Sequence, residues 1–178
     1  MTESVTLCNG TWLRLMRRGR WEYAERTNPG GGVMIIAVTA EGCVLFVEQF
    51  RPALGCRTIE MPAGLVGDAA HHADENAIEA AHRELIEETG YAAARIEFLM
   101  AGATSSGMSN EIMAFVRAHE LTRVDAGGGD DDEDIVVHEV PRRNAARWLA
   151  SRMDEGLSVD PKIYAGLYFL EHGVGRTD

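Results

Sequence analysis

Basic residues are in short supply. The chain carries 17 Lys and Arg against 28 Asp and Glu, a formal net charge of −11. A surface of that sign repels a polyanion, so a general nucleic-acid binder is not expected. A small anionic substrate is still allowed, because local cations or a bound metal can invert the field at one site. Long apolar runs are also missing. None approaches the ~18 residues of a membrane span, and residues 1–10 show no basic segment leading into an apolar stretch. No membrane contact and no signal peptide are expected, which makes the cytoplasm the expected compartment. Cysteine is scarce: Cys8, Cys43 and Cys56 form neither a CxxC pair nor an even disulfide framework, and read as small core or surface residues rather than metal ligands. There is no internal repeat, and the one low-complexity stretch is Gly127-Gly128-Gly129 followed by acids as far as Asp134.

What remains is an ordinary globular balance. Of 178 residues, 46% are hydrophobic and 25% charged, enough for one substantial core. Residues 11–17 and 21–26 flank Gly19-Arg20 as the arms of a predicted hairpin. Residues 33–39 and 43–50 are nearly continuous apolar runs, the pattern of strands buried on both faces. Residues 75–89 predict a helix with Ile78, Ala81 and Leu85 on one face and Gly90 as its C-terminal cap. Strands are expected over 95–100, 112–118 and 135–140, and helices over 144–155 and 162–172. The last of these opens on Asp160-Pro161, a capping carboxylate and a first-turn proline. Strands and helices interleave without βαβ regularity, so the expected class is α/β with a mixed sheet between helices.

The informative stretch is Arg83-Glu84-Leu85-Ile86-Glu87-Glu88-Thr89-Gly90-Tyr91. Glu84 and Glu88 are four apart and share one helical face, with Glu87 bordering it. Like charges at that spacing destabilise a helix by roughly 0.2–0.5 kcal/mol per pair. A hard divalent cation reverses that sign, and magnesium in particular takes few protein carboxylates and leaves positions for substrate phosphates. A solvated acidic face is the competing reading of the same residues.

Arg83-Glu84-Leu85 with Glu87-Glu88 and Gly90-Tyr91, preceded by Glu75 eight positions before Arg83, resembles the Nudix box, G-x5-E-x7-R-E-U-x-E-E-x-G-U with U apolar. The resemblance implies Glu84 and Glu88 as principal metal ligands, Glu87 in the metal network, and Glu75, Arg83 and Gly90 as structural support. The leading glycine is displaced. Ala69 stands six residues before Glu75, and the nearest equivalent is Gly64, so the intervening loop is longer by about five residues and contains Asp68, His71, His72 and Asp74. Insertions in surface loops cost little closure entropy. A transition metal at His71 and His72 is the less favoured reading of that pair.

Glu60-Met61-Pro62-Ala63-Gly64 resembles the E-x-P-A-G segment of ADP-sugar pyrophosphatases in the same family, which implies the Ala63 carbonyl as a metal ligand with Glu60 close by. Val47-Glu48-Gln49-Phe50-Arg51 resembles the same group's V-x-Q-[FY]-R, implying that Arg51 contacts the diphosphate, a role suited to a guanidinium fork; Arg26 is expected to assist it. Ser106-Gly107-Met108-Ser109-Asn110-Glu111 resembles S-P-G-x-S-x-E, with Ser106 where the subclass has proline. Aligning on Val140-Pro141 implies Glu133 as the catalytic base, with Asp132, Asp134 or Glu111 as alternatives. Trp12 and Trp21, on the two hairpin arms, resemble a pair that stacks on adenine across a dimer interface; hairpin core residues are the alternative.

The resemblance covers residues 12–172. It implies an α/β/α Nudix sandwich with an N-terminal antiparallel β-extension over residues 1–30, serving dimerisation and nucleoside binding, and a hydrolase domain over 31–178. The expected activity is Mg2+-dependent hydrolysis of a nucleoside diphosphate sugar by a homodimer, with Mn2+ as a substitute. ADP-ribose, giving AMP and ribose 5-phosphate, leads ADP-glucose and GDP-mannose. A catalytically silent nucleotide-sugar-binding domain is a second reading. An isomerase or a decapping enzyme is disfavoured by the intact E-x-P-A-G and the lack of a basic surface.

Overall fold

The computed structural model describes residues 3–28, 30–67, 74–129 and 133–174. Asp68, His71, His72 and Asp132 lie outside the described residues. Strands β1 (Ser4–Asn9), β2 (Leu13–Arg18) and β3 (Trp21–Arg26) form a separate antiparallel sheet in that order. Gly19 closes the β2–β3 hairpin at φ 62°, a conformation that costs glycine nothing. β1 is absent from the sequence expectation because five of its six residues are exposed, leaving no buried stripe to read. β3 is joined to the main body by Ala24 N donating to the Met108 carbonyl at 2.8 Å and by Asn110 Nδ2 donating to Glu25 at 2.7 Å.

Two four-stranded mixed sheets follow, where the sequence predicts one. β4 (Gly32–Ala37) lies parallel to β9 (Ile112–Arg123), flanked by β7 (Ala63–Leu65) and β8 (Tyr91–Ala103), both antiparallel. β5 (Cys43–Arg51) lies antiparallel between β10 (Val136–Pro141) and β6 (Cys56–Glu60), and the short β11 (Ser158–Val159) adds to β6 in parallel. β8 runs past the predicted 95–100 at both ends and β9 past 118 at its C-terminal end. The added β8 residues are mostly alanine and glycine and the added β9 residues mostly polar, so neither carries an apolar alternation and only cross-strand pairing defines them.

Helix α1 (Ala77–Thr89) covers one face, and α2 (Ala145–Asp154) with α3 (Lys162–His172) covers the other. β4 serves both layers. Its Val33, Ile35 and Ala37 meet Ala80, Ala81 and Leu85 of α1, whereas Met34 and Ile36 join Leu149 of α2 and Ile163 and Leu170 of α3. The period-2 alternation of a strand sends successive side chains to opposite faces, so all six β4 residues are buried. Each such large aliphatic side chain contributes about 1.5–3 kcal/mol by leaving water. No helix among the described residues is long and apolar enough to cross a membrane.

Candidate active site

Helix α1 starts two residues later than predicted. Asn76 caps it, its side chain accepting from the amides of Ile78 and Glu79 at 2.9 and 3.2 Å while Glu79 accepts from Asn76 N at 2.9 Å. This reciprocal box satisfies orphan amides and fixes where the helix begins. Glu75 therefore belongs to the preceding loop, where its carboxylate takes Nε and Nη2 of Arg83, both at 3.1 Å. Arg83 also donates to Glu84 and Glu87, each at 2.9 Å, and to the Leu65 carbonyl at 3.2 Å. Arg83 and Glu75 thus tie loop, helix and β7 together, a supporting geometry.

Glu84 and Glu88 point inward from α1, 9% and 2% exposed, while Glu87 stays half exposed. Glu88 accepts from Ala63 N at 2.9 Å. Burial pushes the Glu88 carboxyl well above the usual range; the Ala63 N–H and Arg51 oppose the shift, and Glu84 and Glu133 nearby add to it. Gly64 is needed beside them: a Cβ there would stand 1.9 Å from the Glu84 carboxylate.

Ala63, Gly64, Glu84 and Glu87 line a cleft of about 430 Å³, which Arg51, Glu60, Glu133 and Lys162 complete, while Glu88 sits behind its wall against the Ala63 amide. Arg51 forms a two-pronged pair with Glu60 at 2.7 and 2.6 Å. Burial raises the Glu60 carboxyl, but bonds from Arg51 and Thr58 outweigh it and hold Glu60 below its ordinary value. Lys162 opens α3, where its amide donates to Asp160 Oδ1 at 2.8 Å; Pro161 rather than the predicted Asp160 holds the N-cap position, so Asp160 satisfies a first-turn amide from one residue outside the cap. Arg26 pairs with Glu111, and both border a second cavity of about 530 Å³.

Among the described residues, no three His, Cys, Asp or Glu side chains converge into a ready-made cation cage. Glu84 is turned to Arg83 and Glu88 to Ala63. The donor set nonetheless fits a hard divalent ion. A carboxylate 2% exposed beside two others is unfavourable as an anion, and a cation bound by few protein oxygens relieves it.

The family model for the NUDIX domain matches residues 28–155. The chain belongs to the Nudix hydrolase family. It is 37% identical over 135 residues to the ADP-ribose pyrophosphatase of Bacillus subtilis, covering 75% of this chain and 70% of that protein. It is 34% identical over 196 aligned residues to the ADP-sugar pyrophosphatase of Mus musculus, covering 97% and 87%. A crystal structure of an ADP compounds hydrolase superposes with a TM-score of 0.69 at 18% identity, covering 98% of this chain and 95% of that one, a likeness of fold. Nudix hydrolases generally need a divalent metal.

Of the residues singled out in sequence, the Nudix fold brings Ala63, Gly64, Glu84, Glu87, Arg83, Arg51, Arg26 and Glu133 to the cleft. Gly90, at φ 75°, ends α1 as its left-handed cap. Trp12 and Trp21 are not core residues, being 75% and 56% exposed; the buried-core alternative is corrected. Nor are they neighbours. Trp12 adjoins Thr27 at the open end of the hairpin, and Trp21 opposes Arg18 at its turn. Six strand residues separate those ends, roughly 20 Å. One chain therefore cannot clamp a single ring with both. Sequence reasoning missed Lys162 as a cleft residue, although its place after Asp160-Pro161 at a helix start was a usable signal.

Proposed function

We propose that this Nudix hydrolase cleaves the pyrophosphate of nucleoside diphosphate sugars with magnesium, manganese substituting, and that ADP-ribose, giving AMP and ribose 5-phosphate, is its main substrate. The observation that carries this reading is the cleft itself, where Glu84 and Glu87 stand with Glu133, Arg51 and Lys162 in a space of about 430 Å³, and buried Glu88 lies behind the wall, bonded to the amide of Ala63 that lines it. Glu84, Glu88 and the Ala63 carbonyl hold the cation in this reading, with Glu87 flanking them. Bound there, it polarises phosphoryl oxygens and lowers the pKa of water. Arg26 and Arg51 exchange their internal carboxylates for diphosphate oxygens and orient the anhydride. Glu133 takes a proton from the attacking water as its oxygen bonds to one phosphorus, and the bridging P–O bond breaks to release the second phosphate.

In the same proposal, residues 1–30 are the dimerisation and nucleoside-binding extension, and 31–178 the hydrolase domain. The exposed Val5, Leu7, Leu13 and Leu15 fit a surface covered by a second copy. A homodimer also supplies what one chain lacks, a Trp12 and a Trp21 from different copies stacked on one adenine. Operation in the cytoplasm fits three free cysteines. Product analysis over ADP-ribose, ADP-glucose and GDP-mannose, with Mg2+ and with Mn2+, tests the assignment. The expected result is AMP and ribose 5-phosphate formed fastest. Faster turnover of GDP-mannose overturns the substrate choice. No hydrolysis of any of the three leaves the silent binding domain in its place.

A further inference from the structure

The glycines at 127–129 read in sequence as the lead into an acidic run, but in the fold they complete the end of α1. The last carbonyls of a helix have no partner within it, and the last turn of α1 offers no basic side chain. Gly128 N donates to the Glu88 carbonyl at 2.9 Å and Gly129 N to the Glu87 carbonyl at 3.0 Å. The approach is close enough to require glycine. A Cβ on Gly127 would lie 2.4 Å from the Thr89 carbonyl carbon and 2.6 Å from Gly90 N. The same segment then meets the residues that carry the loop acid. Ile135, buried at 8%, donates its amide to the Gly128 carbonyl at 3.2 Å. A Cβ on Gly129, whose φ is 85°, would lie 2.6 Å from the Glu133 carboxylate and 2.7 Å from Glu133 Cβ. On the far side, Arg57 Nη1 donates to Asp134 at 2.9 Å while its Nε is held by Glu48 at 2.6 Å.

We infer that Gly127, Gly128 and Gly129 are positioning residues for Glu133, fixing its carboxylate through main-chain bonds to the same two residues, Glu87 and Glu88, whose side chains face the proposed metal. This rests on the assignment of Glu133 as the base. The loop acid and the helix acids share one reference: Gly128 and Gly129 are bonded to the end of α1, Ile135 is bonded back to Gly128, and Glu133 packs against Gly129. The glycines touch no substrate; they act through Glu133.

The test is ADP-ribose hydrolysis in saturating magnesium by the full chain, with Gly129→Ala, Gly156→Ala, Glu133→Gln and the double variant Gly129→Ala/Glu133→Gln. Gly156 is the control for backbone strain, with φ 90° and nothing within 4 Å of a Cβ. Gly129→Ala is expected to lower kcat roughly tenfold or more with KM within about twofold, since small misplacements of a reacting group are costly. Gly156→Ala is expected to keep kcat. In the Glu133→Gln background, Gly129→Ala is expected to add less than about a twofold further loss, because the group it displaces is already inactive. Equal losses in both backgrounds, or full rate for Gly129→Ala beside a slow Glu133→Gln, overturn the inference. Full rate for Glu133→Gln removes the base assignment, and the inference with it. If Gly129→Ala yields no folded protein, Gly128→Ala carries the same comparison: its φ is 114°, and the nearest atom to its Cβ is the Ile135 carbonyl oxygen at 3.9 Å. Loss of kcat confined to the Glu133 background supports the inference, and loss in both backgrounds overturns it.

Discussion

Gly64→Ala isolates the position of one carboxylate from the stability of the fold. The added methyl carbon would lie 1.9 Å from both Cδ and Oε1 of Glu84, whereas Cβ contacts shorter than 3.0 Å are essentially never seen. The flexible end of Glu84 must therefore retreat by about 1 Å, and misplacement of that size costs on the order of 100-fold in rate. Stability changes far less. Gly64 does not occupy the left-handed region, so alanine is conformationally tolerated and gains about 0.4–1 kcal/mol by restricting the unfolded chain. Against this stands the loosened Arg83–Glu84 contact at 2.9 Å, about 1 kcal/mol while Arg83 keeps Glu75 and Glu87. The two nearly cancel, and each 1 kcal/mol moves Tm by only ~2–4 °C in a domain of this size. Steady-state hydrolysis of ADP-ribose beside a thermal melt measures both quantities. A Gly64→Ala enzyme within threefold of the parent kcat refutes the reasoning, as does one that loses activity only because it unfolds.

Glu88→Gln preserves shape and can still accept from Ala63 N, so it is expected to stay folded and lose at least ~100-fold in turnover; near-normal rate in saturating magnesium contradicts the metal assignment. Among the described loop acids, Glu133→Gln is expected to lower kcat by ~10²–10⁴-fold and Asp134→Asn by much less. If both keep full rate, Glu111→Gln is the next variant to assay. Trp21→Ala is expected to raise KM roughly tenfold with little change in Tm, since stacking is worth ~1–3 kcal/mol per base and the ring is already 56% exposed; a large fall in Tm with normal KM denies it a stacking role. Glu60 is held below its ordinary value near 4.5. A depressed carboxyl contributes stability above its unfolded pKa and loses it as pH falls through the folded one. Glu60→Gln is therefore expected to melt below the parent at pH 7, with the gap closing under about pH 4; a gap independent of pH counts against the Arg51–Glu60 pair as its source.

The carboxylate helix and the strands around it were legible because their signals are local. Glu84 and Glu88 share a face by spacing alone, and β4 and most of β5 announce double burial by nearly continuous apolar runs. What escaped depends on contacts between distant segments. β1 has no buried stripe, and the ends of β8 and β9 exist only through cross-strand pairing. The division into two sheets is set by which strand pairs with which, and no residue pattern within a strand records it. Gly127, Gly128 and Gly129 stood out only as a low-complexity lead into an acidic run, because their use is main-chain, carbonyl to amide, and leaves no side-chain signature. The tryptophan pair shows the opposite case: both residues were found, but only the hairpin register revealed that they stand at opposite ends of it.

β4 has a consequence for how the protein opens. Because alternate residues of one six-residue strand belong to different cores, neither α1 nor the α2–α3 layer can detach without exposing part of β4. Partial unfolding that spares half the molecule is correspondingly disfavoured, and the amide protons of β4 should exchange with deuterium only through the global transition. Met34, on that strand, also lines the cleft between the acids of α1 and Lys162 of α3. The two walls of the cleft are thus referenced to a single rigid beam, and thermal breathing that loosens loop tips should leave their spacing unchanged until the whole domain melts.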